Sequence, residues 1–241
     1  MSSTPTEYSI PANPRQAVAD AYNVLAEPYL KWKQTNDSKD GERGLQHQFD
    51  HFLQLMRQFA ENSSNVQVLE IGCGAGVPWT DMAAHCLQDT GHITAIDISQ
   101  AQIDLASKYL LQSDKPHSNI TLLCQDTMSL DYEPNQFDAI YAIFSLIHLP
   151  QQDQKTVLAN IHKWLKPDGV VFMNFSGHPE ADESVHQWID DKTEMYWSSL
   201  GLDGYDKQLK YLGFDMVVRE IAINVEDGND IPFVYYIAKK V

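Results

Sequence analysis

Basic residues are scarce in this chain. Its 241 residues hold 17 lysines and arginines against 33 aspartates and glutamates, a formal net charge of −16 at pH 7. A surface that acidic repels phosphate backbones, which argues against nucleic acid as a partner. Cysteine is scarce too, with only Cys73, Cys86 and Cys124. An odd number of thiols without metal-like spacing predicts neither a disulfide framework nor a metal site, and buried reduced thiols of a cytoplasmic protein are expected. Long apolar runs are absent. The longest, AIYAIFSLIHL at 139–149, falls well short of the ~20 residues a membrane span needs, so no membrane partner is expected. The opening MSSTPTEYSIPANPR lacks a basic start followed by an apolar run, so no secretory signal is expected. Internal repeats and low-complexity tracts are missing as well.

Hydrophobic residues make up 43% of the chain, enough for one substantial core. Three prolines and several hydroxyl residues make 1–14 an expected unstructured tail. Val18, Tyr22, Leu25 and Tyr29 recur at helical spacing between Arg15 and Trp32. TNDSKDGERG at 35–44 reads as a loop, and a second helix carries Phe49, Phe52, Leu53, Met56 and Phe59 on one face. The texture then changes to short apolar strands alternating with helices: strands at 66–72, 92–97, 119–126, 137–144 and 169–175, with helices between them, including 99–112 and 151–165. Such alternation predicts a doubly wound α/β fold on a parallel sheet. A helix at 205–213 and two strands at 214–225 and 232–240 close the chain, the last two as a hairpin. The expected organisation is a helical cap over 15–60 on a sheet domain over 66–241, together one domain.

The first strand runs into Glu70-Ile71-Gly72-Cys73-Gly74-Ala75-Gly76. Glycines at such a strand–helix turn let the backbone approach a ligand closely. A nicotinamide fingerprint needs its third glycine at position 77, which is Val77. The spacing is G-x-G-x-G preceded by an acid, which suits a cofactor without a pyrophosphate, such as S-adenosylmethionine. Asp97 ends the second strand ~20 residues beyond the loop, where a carboxylate can accept from both ribose hydroxyls. Asp126, followed by Thr127, ends the third strand, where a carboxylate can accept from an adenine amino group. Each aspartate alone is equally explained as a strand end or helix cap. Three successive strands ending in polar groups at one sheet edge point to a ligand site.

On these residues the chain resembles the class I S-adenosylmethionine-dependent methyltransferases, in the broad small-molecule group often called type 11. VLEIGCGAG resembles their first motif, Asp97 their second acid and CQDTMSL their adenine segment. FDAIYAIFSLIHLP resembles the fourth strand and its exit, and LKPDGVVFMNF the approach to the fifth, with Asp168 in place of a glycine. Asp tolerates a left-handed backbone, so the departure fits. The resemblance implies a Rossmann-like seven-stranded sheet of order 3-2-1-4-5-7-6 with the last strand antiparallel. It implies S-adenosylmethionine held by Tyr22, Tyr29, Glu70, Gly72, Cys73, Gly74, Asp97, Ile98, Gln102, Asp126, Thr127 and Ile143.

The acceptor pocket is expected between the N-terminal helices, the exit of strand four and the insert at 176–204. Trp32, Tyr196 and Trp197 are the candidate substrate residues, with Trp188 beside them. Tyr22 and Tyr29 are also explained as a helix packing stripe. No Asn/Asp-Pro-Pro-Tyr or metal-binding carboxylates follow strand four and no Pro-Cys occurs, which sets aside adenine or glutamine amino groups, cytosine C5 and catechols as acceptors and leaves oxygen, nitrogen, sulfur and carbon open. A small-molecule acceptor is expected. His148 is the candidate catalytic residue, either as a general base or as a contact to the cofactor, with His178 and His186 as weaker candidates. The alternative is a repurposed or non-catalytic scaffold, cyclase-like or regulatory, that keeps the cofactor.

Overall fold

The structure is a computed structural model and describes residues 10–36, 41–179, 181–186, 189, 193–226 and 229–241. The expected tail lies outside it up to residue 9, as do Trp188 and residues 227–228.

Helices α1 (Pro14–Asn36) and α2 (Gly41–Asn62) come first. They extend into the segment expected as a loop, leaving 37–40 outside the described residues. Strands and helices then alternate: β1 (Val66–Ile71), α3 (Trp79–Leu87), β2 (Gly91–Asp97), α4 (Gln100–Ala106, prolonged by a widened turn to Leu111), β3 (Ile120–Cys124), β4 (Phe137–Ala142), α5 (Gln151–Trp164) and β5 (Leu165–Ser176). The hairpin β6 (Ala181–His186) and β7 (Glu194–Ser199) follows, then α6 (Gly201–Leu212), β8 (Phe214–Glu226) and β9 (Asn229–Lys240).

The seven-stranded sheet has the order β3-β2-β1-β4-β5-β9-β8. Strands β1 to β5 pair in parallel, and β9 runs antiparallel to both β5 and β8. With the β6–β7 hairpin counted as an insertion, this is the expected 3-2-1-4-5-7-6 sheet. Chain order reverses between β1 and β4, and open parallel sheets bind ligands at the carboxyl ends beside that reversal. Asp168 takes φ 65° before β5, the left-handed backbone expected of it.

The two N-terminal helices do different jobs. Leu45, Phe49, Phe52, Leu53 and Met56 of α2 are buried in the main core, with Phe49 and Phe52 against Tyr141 and Phe172 of the sheet. Each such burial contributes about 1.5–3 kcal/mol, so α2 is part of the sheet domain rather than a cap. Helix α1 sits apart: Val18, Ala21 and Leu25 pack on Met195 and Tyr196 of β7 in a separate small core. Asn23 Oδ1 accepts from Ser99 Oγ (2.8 Å) and the Ala101 amide (3.2 Å), docking α1 on the start of α4.

Candidate active site

The glycine loop is held in shape by its neighbours. The amides of Gly72 and Cys73 both donate to the Ile96 carbonyl, at 2.8 and 2.9 Å, so the loop hangs from β2. Gly72 and Gly76 have φ of 77° and 75°. A Cβ on Gly72 would stand 2.2 Å from Ser145 Cβ, and one on Gly76 2.4 Å from Leu110 Cδ1. Both positions therefore need glycine for backbone conformation and for space.

Of the two acids beside the loop, Glu70 is buried and Asp97 half-buried. Asp97 accepts from the Gly74 amide through Oδ2 and from the Ser99 amide through Oδ1, both at 2.9 Å. Burial pushes its pKa up to about 6, against those amide bonds, which pull it down. Glu70 Oε2 accepts from Thr80 Oγ1 (2.6 Å) and Tyr141 OH (2.8 Å). Burial raises Glu70 to about 7, with the charge of Asp97 adding to it. Two acids whose carboxylate forms burial disfavours gain from a cationic ligand placed beside them.

At the exit of β4 the chain turns sharply. Phe144 has φ 51° and donates its amide to Asn174 Oδ1 on β5 at 2.7 Å. One turn of 3₁₀ helix, Leu146–His148, then aims His148 back over the sheet edge. His148 Nδ1 lies 2.9 Å from the Tyr196 carbonyl of β7. A carbonyl only accepts, so Nδ1 carries the hydrogen and Nε2 keeps its lone pair. That lone pair accepts from the hydroxyl of Tyr22 at 3.0 Å. Burial pushes the pKa of His148 down to about 4, so the ring is neutral at pH 7.

These parts enclose a cavity of about 1060 Å³, open solvent at its mouth included. Every residue that the resemblance implied for the cofactor lines it: Tyr22, Tyr29, Glu70, Gly72, Cys73, Gly74, Asp97, Ile98, Gln102, Asp126, Thr127 and Ile143. His148 lines it as well. Trp32, Tyr196 and Trp197 do not. Trp32 stacks on Tyr29 at 6.1 Å between ring centroids, and Trp197 lies 5.7 Å from the His148 ring. Tyr196 is buried under α1, and its contribution is the carbonyl that fixes the His148 tautomer. His178 is exposed, and the side chain of His186 lies outside the described residues. From the N-terminal segment only α1 reaches the cavity among the described residues, with none from α2.

Sequence reasoning missed Arg15, Lys33, Trp79, Phe144 and Ser145, all of which line the cavity. Arg15 of α1 pairs with Asp126 at the end of β3, and its Nε lies 3.1 Å from Asp153 of α5. Asp126 also caps its own turn, with Oδ1 accepting from the Met128 amide at 2.9 Å. The Arg15 contact had no local signal, because its partners lie more than 100 residues away.

The donor set fits S-adenosylmethionine. Gln102 is 1% exposed, lines the cavity, and neither end of its side-chain amide has a partner among the described residues. The indole N–H of Trp79 is buried and unpartnered in the same wall. Buried polar groups left unpaired are costly unless something fills the site. Acids for a cation and hydroxyls, apolar walls for a base, and free amide groups together match an adenosyl amino acid.

Comparison with known proteins agrees with this geometry. Residues 68–169 match the family model described as a methyltransferase domain. A sterol 24-C-methyltransferase of Debaryomyces hansenii is 29% identical over 205 residues, covering 77% of this chain and 48% of its own. An O-methyltransferase of Aspergillus nomiae is 36% identical over 118 residues, covering 47% of this chain and 49% of its own. The chain thus spans about half the length of the curated relatives it matches. Among solved structures, the [4+2]-cyclase SpnF superposes with TM-score 0.68 over 98% of both chains at 18% identity. The magnesium protoporphyrin IX methyltransferase of Synechocystis PCC 6803, with bound S-adenosylmethionine, gives TM-score 0.65 over 97% of this chain and 100% of its own at 15% identity. At such identities these two likenesses concern the fold. Sheet order, glycine loop and strand-end acids, with the match over residues 68–169, support one reading: a class I S-adenosylmethionine-dependent methyltransferase domain.

Proposed function

We propose that this chain transfers a methyl group from S-adenosylmethionine to a small, largely apolar acceptor, with α1 as the cap that closes over the reacting groups. The observation that carries the reading is the convergence, in one cavity, of the glycine loop and strand-end acids with the Tyr22–His148 pair. The cofactor supplies an electrophilic methyl on a sulfonium. Asp97 and Glu70 would hold the cationic amino acid and ribose end, Asp126 and Thr127 the adenine end, and Gln102 the stretch beside Gly74. Positioning supplies much of the acceleration in an in-line displacement. Tyr22, Phe144, Leu146 and Leu149 line the same cavity and would offer the acceptor an apolar wall. The names of the relatives, a sterol methyltransferase and an O-methyltransferase, support a small-molecule acceptor.

His148 serves as proton acceptor where the nucleophile carries a hydrogen. Its held-down pKa makes it a weak base, which suffices for a proton that becomes acidic as the new bond to carbon forms. The Tyr22 hydroxyl sits on Nε2 and relays: it takes the acceptor's proton as its own passes to His148.

A cyclase-like use of the same cavity is the second reading, supported by the TM-score of 0.68 to the [4+2]-cyclase. Incubation with methyl-labelled S-adenosylmethionine and a fractionated small-molecule extract separates the two. Label appearing in an apolar metabolite, with S-adenosylhomocysteine formed in equal amount, is expected. Tight cofactor binding without label transfer to any fraction would move the chain to the repurposed class.

A further inference from the structure

Outside the cavity, against the back of the glycine loop, three side chains with metal-ligand chemistry converge. Asp81 and His85 are four residues apart on α3 and so share one face. His117 arrives from the segment between α4 and β3, 36 residues further on. Its Nε2 lies 2.8 Å from Asp81 Oδ1, and His85 Nδ1 lies 3.4 Å from the same oxygen and 2.9 Å from the Asp81 main-chain carbonyl, a contact that an ion would have to displace or that leaves Nε2 as the ligand. The two imidazoles meet edge to face, 4.6 Å between centroids. One nitrogen from each ring and one carboxylate oxygen all lie within 4.8 Å of one another. Ligand atoms around tetrahedral zinc, at ~2.0–2.2 Å from the metal, stand about 3.3 Å apart, so small rotations bring these three to a common point.

We infer that Asp81, His85 and His117 form a binding site for a divalent transition-metal ion, zinc above all, that clips α3 to the segment preceding β3. Two imidazoles and a carboxylate without thiolate suit zinc and its first-row neighbours, with water completing the coordination. The cluster is preorganised at its less accessible end: the His117 side chain is 11% exposed, and its amide donates to the Leu110 carbonyl at 2.9 Å. The other end is tied to the loop, because the Asp81 amide donates to the Gly76 carbonyl at 3.1 Å. Leu110 is also the residue against which Gly76 is packed. The ion would therefore brace the two elements that form the loop's back wall, without touching the cofactor.

The test uses the intact chain, stripped with a chelator and titrated calorimetrically with zinc chloride alone. One equivalent should bind. His85→Ala and His117→Ala should each weaken binding roughly tenfold or more, on the scale of losing a metal-site interaction. Zinc should raise the thermal midpoint of the wild type by more than that of His85→Ala at the same zinc concentration. His85 is 62% exposed, so its variant is expected to fold, which its circular dichroism melt reports directly. His47→Ala, on the exposed face of α2, should titrate like the wild type. No zinc binding, or a His85→Ala/His117→Ala double variant titrating like the wild type, overturns the proposal; the latter places the ion at another histidine pair or at a thiol.

Discussion

Tyr22 of the N-terminal helix donates its hydroxyl to His148 Nε2, after the fourth strand, across 126 residues of sequence and at 3.0 Å. The imidazole is oriented from behind by the Tyr196 carbonyl. Three distant segments thus fix one lone pair. If that lone pair takes a proton in turnover, His148→Ala should lower kcat by ~10²–10⁴. His148→Gln keeps an acceptor for Tyr22 but no basicity, and should be nearly as slow. The acidic limb of the wild-type pH profile should fall near 4 rather than near the ordinary histidine value, because burial lowers the pKa. A Gln variant with wild-type kcat would reduce His148 to a positioning group and leave methyl transfer standing.

Glu70 and Asp97, raised to about 7 and about 6, make cofactor binding a proton-linked event. In the ligand-free protein both hold protons more tightly than an unfolded chain does. Between pH 4 and 7 the folded state therefore binds the extra protons, and its stability falls as pH rises through their folded values. A sulfonium and an ammonium reverse this by favouring the carboxylates. Affinity should rise from pH 5 to 7, and calorimetry at pH 6.5 in buffers of different ionisation heat should show protons released. Uptake, or no exchange of protons, would mean that the cation does not sit beside these acids.

The parts legible in the sequence are those whose signal is local. Glycine spacing, strand-end aspartates and the 3.6-residue stripe of α2 each lie within one element or one turn, and the structure gathers the first two around a single cavity. The β6–β7 hairpin was illegible because both faces of β7 are covered, so Met195, Tyr196, Ser198 and Ser199 are all buried and period-two alternation is lost. Its partner ADESVH is polar and has no strand texture. That hairpin decides the substrate-side reading: it props α1 from below, and so Tyr196 contributes a carbonyl and Trp197 a packing face. The split between α1 and α2 was hidden likewise, since amphipathic spacing says that a face is buried but not against what.

Arg15 links the cap to the sheet edge through Asp126 and Asp153. These side chains are about a quarter to a third exposed, which puts such a pair at ~0–1 kcal/mol. Arg15→Ala should therefore speed amide exchange across 14–36 by about fivefold at most, one kcal/mol in population terms. S-adenosylhomocysteine should slow the same amides in the wild type. Unchanged exchange in the variant would assign the docking of α1 to Asn23 and Tyr22 instead.

Gln102 offers the sharpest separation of stability from binding. Its side-chain amide is buried against Gly74 with nitrogen and oxygen both unpaired. Its backbone amide, bonded to Ser99 Oγ at 3.2 Å, does not depend on the side chain. Leaving a buried polar group unsatisfied costs about 1–3 kcal/mol, and methionine fills the same volume without that cost. Gln102→Met should therefore raise the thermal midpoint of the ligand-free protein. It should also weaken S-adenosylhomocysteine, because the bonds that the amide makes to the ligand are lost. The two effects have opposite signs, which a merely structural glutamine cannot produce. Thermal melts with and without ligand read both at once: the variant should start higher and gain less. A variant that melts lower and binds as well as the wild type would show that Gln102 belongs to the packing of α4 and not to the cofactor.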